Sequence, residues 1–373
     1  METAPMKSRH TVMFADSRKM DQLEDSSVDL VVTSPPYPMI EMWDDLFASL
    51  SPETGRSLAK NDGAGAFERM HRELDRVWHE LDRVVKPSGF VCINIGDATR
   101  KIGSDFQLYS NHSRITTAMV NLGFQPLPII LWKKATNSPN KFMGSGMLPA
   151  GAYVTLEHEY ILIFRKGGKR EFLSKQAKQI RNESAVFWEE RNTWYSDTWT
   201  VIGTRQRTGK NNIRERNAAY PFEIPYRLVN MYSVKGDTVL DPFLGTGTTT
   251  AAAIVSERNS VGLEYDENFA DLISETVQRC PALSADIIQG RLENHKTFVK
   301  RRIEDGKKIK HMNTFYKFPV VTKQETRLRL NPVLTIHCDD LAWIETAYTP
   351  ETDPQPVVLP PLRNTDPQRL LFD

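Results

Sequence analysis

Thr238-Val239-Leu240-Asp241-Pro242-Phe243-Leu244-Gly245-Thr246-Gly247-Thr248-Thr249-Thr250-Ala251-Ala252-Ala253 reads as a short apolar strand, a glycine-rich turn and the start of a helix. Strand followed by helix is the unit from which parallel sheets with helical crossovers are built. Gly245 and Gly247 take side chains away where the turn would pass close to a ligand. The helix beyond them offers unpaired N–H groups to an anionic carboxylate. Val261-Gly262-Leu263 reads as the next strand, and Glu264 stands at its end, 19 residues after Gly245. A carboxylate there can accept hydrogen bonds from two ribose hydroxyls, so the spacing suits a nucleoside cofactor. A Gly-x-Gly turn alone also occurs in strand-to-helix turns that bind nothing. No Gly-Lys-Ser/Thr follows, which argues against a triphosphate-binding loop.

The same alternation extends toward the N-terminus. Val28-Asp29-Leu30-Val31-Val32 is a β-branched run that stops at Thr33 and two prolines, as a buried strand meeting a rigid loop would. Apolar residues from Phe67 to Val85 recur at spacings of three and four, predicting an amphipathic helix that Lys86-Pro87-Ser88-Gly89 ends. Phe90–Ile95 predicts a strand, Arg114–Leu122 a helix, Pro128–Trp132 and His158–Phe164 two further strands, and Lys133–Gly151 a polar, glycine-rich loop. Strands alternating with helices predict an α/β fold with a doubly wound, mostly parallel sheet. Phe318–Val321 and Val333–Ile336 are strand-like pieces of a small C-terminal extension. The stretch Thr349–Asp373 is a proline-rich tail.

At 373 residues, 40% hydrophobic and 25% charged, the chain has the composition of an ordinary globular protein. No signal-peptide pattern or membrane-length apolar stretch is present, so a cytoplasmic protein without a membrane partner is expected. Cys92, Cys280 and Cys338 are isolated, which indicates neither a disulfide framework nor a thiolate metal site. The net charge of +1 conceals a basic middle: Arg165–Arg216 holds thirteen Lys and Arg against six Asp and Glu, and His295–Lys310 seven against two. Clustered cations suit phosphate contact as well as a solvated face. Glu41, Asp44 and Asp45 form an acidic cluster, but acidic residues commonly open helices and no metal is expected there.

The phrase Asp-Pro-Phe-x-Gly-x-Gly-Thr followed by Glu264 resembles the cofactor motif of DNA amino-methyltransferases. That resemblance implies S-adenosylmethionine as cofactor, with Phe243 as an aromatic wall and Asp241, Gly245, Gly247 and Thr248 as loop contacts. The amine of a nucleobase is a weak nucleophile, since its lone pair is delocalised into the ring. Acceptors at both amino hydrogens favour a pyramidal nitrogen with its lone pair directed at a methyl donor. In Thr33-Ser34-Pro35-Pro36-Tyr37, Ser34 and the carbonyl held between Pro35 and Pro36 suit those acceptor roles. Tyr37 offers a flat face on which a flipped base can stack. Ser-Pro-Pro-Tyr is by itself an ordinary turn sequence. Its strand and the distant cofactor motif are what make it a site.

A catalytic tetrapeptide preceding the cofactor motif resembles the β class of DNA amino-methyltransferases over roughly residues 10–295. The resemblance divides the chain into a catalytic half over 9–168, a target-recognition insert over 169–215, a cofactor-binding half over 216–295, and an extension with tail over 296–373. It implies that Asp16 contacts the adenine end of the cofactor and that Tyr220-Pro221 encloses its methionine end. The family often has His-Pro before that pair; this chain has Arg216-Asn217. Within the family, Ser at the first catalytic position usually accompanies cytosine N4, which Ser34 then favours over adenine N6. A protein glutamine or RNA substrate is the less favoured alternative. Methylation at ring carbon 5 needs a cysteine nucleophile, and no Pro-Cys loop is present. The resemblance further implies double-stranded DNA as partner, with a restriction endonuclease of the same specificity as a genetic one. In the basic insert, Arg205, Arg207 and Lys210 suit base and phosphate contacts. Trp188, Trp194, Tyr195 and Trp199 suit either stacking or a local core.

Overall fold

Val28–Thr33 is buried at every position, as a β-branched run covered on both faces of a sheet must be. In the computed structural model, which describes residues 6–134, 143–201 and 220–349, this strand lies at the centre of the main sheet. It pairs in parallel with Val85–Ile95 on one side and with Thr238–Asp241 on the other. The sheet runs Thr198–Trp199, Ile130–Lys133, His158–Lys166, Val85–Ile95, Val28–Thr33, Thr238–Asp241, Asn259–Glu264, Lys7–Phe14, Trp343–Tyr348, Val333–Asp340. Five central strands, from Val85–Ile95 to Lys7–Phe14, are mutually parallel. The flanks are antiparallel: His158–Lys166 lies against Val85–Ile95, and the C-terminal hairpin lies against Lys7–Phe14.

The chain leaves Val28–Thr33 for the neighbour on one side and Thr238–Asp241 for the neighbour on the other. Loops that diverge in this way leave a crevice at the carboxyl ends of the two strands, where ligands of doubly wound sheets bind. The helix Gly63–Val84 covers one face, with Met70, Leu74, Val77, Trp78, Leu81 and Val84 buried, and Asp62 caps it by accepting from the Gly65 N–H at 2.8 Å. On the other face, Thr248–Val255 is buried from Thr249 onward.

Three features differ from the sequence reading. Lys7–Phe14 is an inner strand whose inward residues include Ser8 and His10. His10 sits between Ser8 at 2.7 Å and Ser260 at 2.8 Å, so hydrogen bonds replace the apolar alternation that would have marked the strand. Burial lowers the His10 pKa to about 3. Lys133–Gly151, read as a loop, contributes to a short hairpin of Met143–Gly144 with Ala152–Tyr153. The helix Cys280–Glu304 runs without interruption through positions 295 and 296.

Among the described residues of the basic insert, a few large apolar side chains pack into the protein. Trp194 and Trp199 are buried, and the Trp199 indole N–H donates to the Trp194 carbonyl at 3.0 Å. Arg291 grips Glu190 with two nitrogens, at 2.5 and 2.7 Å. Arg205, Arg207 and Lys210 lie outside the described residues. The three cysteines are free, and burial pushes the Cys92 thiol far above its ordinary value. Among the described residues, no helix is long and apolar enough to cross a membrane.

Candidate active site

The two central strands end side by side, and their ends are tied together. Asp241 Oδ1 accepts from the Thr33 hydroxyl at 2.6 Å and the Phe243 N–H at 3.1 Å. Its Oδ2 accepts from the Thr249 hydroxyl at 2.6 Å, and the Tyr220 hydroxyl in turn lies 2.5 Å from the Thr249 oxygen. Burial raises the Asp241 pKa, with these hydrogen bonds opposing the rise. The carboxylate has three donors from its own chain, and it joins the turn after Thr33 to the loop after Asp241.

Around this tie opens a cavity of about 570 Å³, within the range of small-molecule sites. Asp16, Ser34, Pro35, Pro36, Tyr37, Tyr220, Asp241, Phe243, Gly245, Thr248 and Glu264 all line it. Both halves of the sequence-predicted site therefore share one space. Gly247 and Pro221 are not among the lining residues. Gly247 has φ +83°, and a Cβ there would lie 3.3 Å from Ile273, so it serves the turn and the helix packing behind it. Gly245, at φ +57°, has open space where a Cβ would stand.

Glu264 accepts from the N–H groups of Gly245 at 2.7 Å, Tyr265 at 2.8 Å and Asp266 at 3.0 Å. Burial raises its pKa against the pull of these donors. Asp16 is clamped by Arg18 through Oδ1 at 3.0 Å and Oδ2 at 2.6 Å. Burial opposes ionisation there, but Arg18 holds the carboxyl below its usual range. Phe243 rests edge-on against Trp78, with ring centroids 6.4 Å apart. Trp43, Leu46, Phe47 and Leu50 form an apolar lobe of the same cavity. Asp44, next to them, is held by Arg100 at 2.6 and 2.8 Å, which accounts for part of the acidic cluster without a metal. Paired carboxylates, an aromatic wall, an apolar lobe and a helix N-terminus at Thr248 form a donor and acceptor set that fits S-adenosylmethionine.

Tyr37 is fixed from behind. Its hydroxyl donates to Glu159 Oε2 at 2.9 Å, accepts from Asn94 Nδ2 at 2.8 Å, and lies 3.2 Å from Ser34 Oγ. Burial and the neighbouring Glu159 push its pKa well above the ordinary phenol value. A Cβ on Gly96 would come within 3.1 Å of the Tyr37 ring, so a side chain there would press on that ring. Glu159 also takes the Lys134 ammonium. Sequence reasoning gave no role to Asn94, Lys134, Glu159, Thr249 or the apolar lobe. The signals were present: an amide and a carboxylate in otherwise apolar strands need buried partners, and Trp43, Leu46, Phe47 and Leu50 repeat at helical spacing.

A sequence profile described as DNA methylase, of the N6/N4 methyltransferases, matches residues 28–275. The chain is similar to the Type II methyltransferase M.MthZI of Methanothermobacter thermautotrophicus, 53% identical over 327 residues, 87% of this chain and 91% of that protein. It is similar to the Type II methyltransferase M.MjaI of Methanocaldococcus jannaschii, 49% identical over 288 residues, 74% of this chain and 94% of the other. A Thermus thermophilus protein, assigned as a DNA modification methylase and solved in complex with S-adenosyl-L-methionine, superposes with a TM-score of 0.56 at 30% identity. That likeness covers 73% of this chain and 94% of the other.

Proposed function

This chain belongs to the N6/N4 DNA methylase family, and from that membership we propose that it methylates the exocyclic N4 of cytosine in double-stranded DNA. It is an S-adenosylmethionine-dependent DNA methyltransferase; the choice of base is the proposal. The observation that carries it is Ser34, a hydroxyl rather than a carboxylate, on the wall of the cavity that also holds Phe243 and Glu264. When bound, S-adenosylmethionine supplies a methyl group on a positively charged sulfur. Glu264, Asp16, Phe243, Thr248 and Tyr220 are the residues that would hold it.

The rest of the work falls to the turn. A cytosine in a duplex must leave its stack to reach the cavity, and the Tyr37 ring replaces part of the lost stacking. Ser34 Oγ and the Pro35 carbonyl accept the two amino hydrogens, which turns the nitrogen lone pair into the cavity. The proline rings fix that carbonyl, so little is lost in ordering it at the moment of reaction. The region 169–215 is the segment we assign to target recognition, and a restriction endonuclease of matching specificity is the expected genetic partner. Mass spectrometry of nucleosides from DNA incubated with the protein and cofactor tests the proposal. 4-Methylcytosine supports it, and 6-methyladenine alone replaces the base while leaving the enzyme class intact.

A further inference from the structure

The Tyr37 hydroxyl has one hydrogen, and the residues around it dictate where that hydrogen goes. Glu159 Oε2, 2.9 Å away, belongs to a carboxylate and accepts only. Asn94 Nδ2 donates to the Tyr37 oxygen at 2.8 Å and to Glu159 Oε2 at 2.7 Å. Reversing the Asn94 amide would set its carbonyl against that carboxylate, and the observed orientation is kept even though Asn94 Oδ1 is buried with no hydrogen-bond partner. Lys134 occupies the other carboxylate oxygen. What remains on the Tyr37 oxygen is a lone pair, and Ser34 Oγ faces it at 3.2 Å. A hydroxyl facing a lone pair turns its hydrogen toward it. Ser34 therefore directs its own lone pairs into the cavity.

We propose that Glu159 is a positioning residue which, acting through Tyr37, fixes Ser34 Oγ as a hydrogen-bond acceptor for the amino group of the target base. The proposal rests on the reading of Ser34 as the residue that meets that amine. A free serine hydroxyl donates or accepts equally well, and a donating one would confront the N–H of the base. The relay removes that choice and gives a neutral hydroxyl the one-way character of a carboxylate. Neither Glu159 nor Asn94 lines the cavity, so their effect on the base passes through Tyr37 and Ser34.

The test uses the full chain, unmethylated plasmid DNA and methyl-labelled S-adenosylmethionine in single turnover, with cofactor affinity measured alongside. Glu159→Ala frees the Tyr37 hydrogen to point at Ser34, and the expected result is a rate about tenfold lower with cofactor Kd unchanged. Tyr37→Phe keeps the ring, deletes the relay and gives the same loss. In a Ser34→Ala background, whose residual rate the label detects, neither change costs anything further, because the acceptor they orient is gone. Losses that multiply in the double variants, or a cofactor Kd that rises in step with the rate loss, overturn the relay. The labelled nucleoside from the wild-type reaction reports the base independently, so failure of the cytosine reading is visible apart from failure of the relay.

Discussion

Thr33 Oγ1 donates to Asp241 Oδ1 at 2.6 Å across 208 residues of sequence. This bond sets the Ser34–Tyr37 turn against the Phe243–Thr248 loop, so these two walls of the cavity are held at one fixed separation. Asp241→Asn leaves one acceptor oxygen for three donors and buries an amide against hydroxyls. Removing a buried partner of this kind costs about 1–3 kcal/mol. The expected outcome is a lowered Tm and S-adenosylmethionine binding weakened about tenfold, read by calorimetry on the same preparation.

Glu264 lines the cavity, held by three backbone N–H groups, and on the proposed reading it accepts from the cofactor. Glu264→Ala is expected to raise the cofactor Kd about tenfold or more while sparing the rate at saturating cofactor. Because burial raises its folded pKa above the ordinary carboxylate value, the acceptor is lost by protonation at a higher pH than an exposed glutamate would be. Cofactor affinity should therefore weaken as pH falls through the acid range, and Glu264→Gln should flatten that limb. Titration of Kd against pH for both proteins checks it.

On the proposed reading, Tyr37→Ala removes the surface on which an extruded base would rest. Base–aromatic stacking is worth about 1–3 kcal/mol, so the single-turnover rate should fall roughly tenfold to a hundredfold. The loss should shrink on a duplex in which the target base is mispaired, since such a base leaves the helix at lower cost. Equal losses on paired and mispaired duplexes would remove the stacking role.

His295 joins the C-terminal extension to the region 169–215. Its Nδ1 lies 2.8 Å from Glu189, its Nε2 lies 3.0 Å from the Pro319 carbonyl, and its ring stacks on Phe187 at 4.1 Å. Both partners are acceptors, so the ring carries both hydrogens. Burial opposes the charge, but Glu189 and the Pro319 carbonyl outweigh it and raise the pKa above 6.5. A raised folded pKa contributes stability that is complete below the unfolded value and is lost as pH rises through the folded one. The wild-type Tm should fall more between pH 6 and pH 9 than that of His295→Gln, by a few degrees on thermal scans.

The sequence made the architecture legible wherever burial took an apolar form. Val28–Thr33, the helix through Met70 and Trp78, and the loop from Asp241 to Thr248 announce themselves by period and by glycine. Lys7–Phe14 did not, because Ser8 and His10 fill its inward positions with hydrogen bonds. Of the motif residues, Ser34, Tyr37, Phe243 and Glu264 line one cavity. The residues that hold them were less legible. Glu159 and Asn94 act on Tyr37 from strands distant in sequence, and only the antiparallel register of His158–Lys166 on Val85–Ile95 brings them together. Asp241 was legible as part of the loop, but its role as the tie between two strand ends depends on Thr33, Thr249 and Tyr220 arriving from elsewhere.

The measurement that bears most directly on the account is the identity and position of the modified base in DNA from cells expressing this chain alone, with Ser34→Ala expressed in parallel. Methylation is expected to be confined to cytosine, at N4, within one short recurring sequence, and to be lost in the Ser34→Ala variant. Methyl groups on adenine N6 with none on cytosine, or a Ser34→Ala variant that modifies DNA as fully as the wild type, would contradict it.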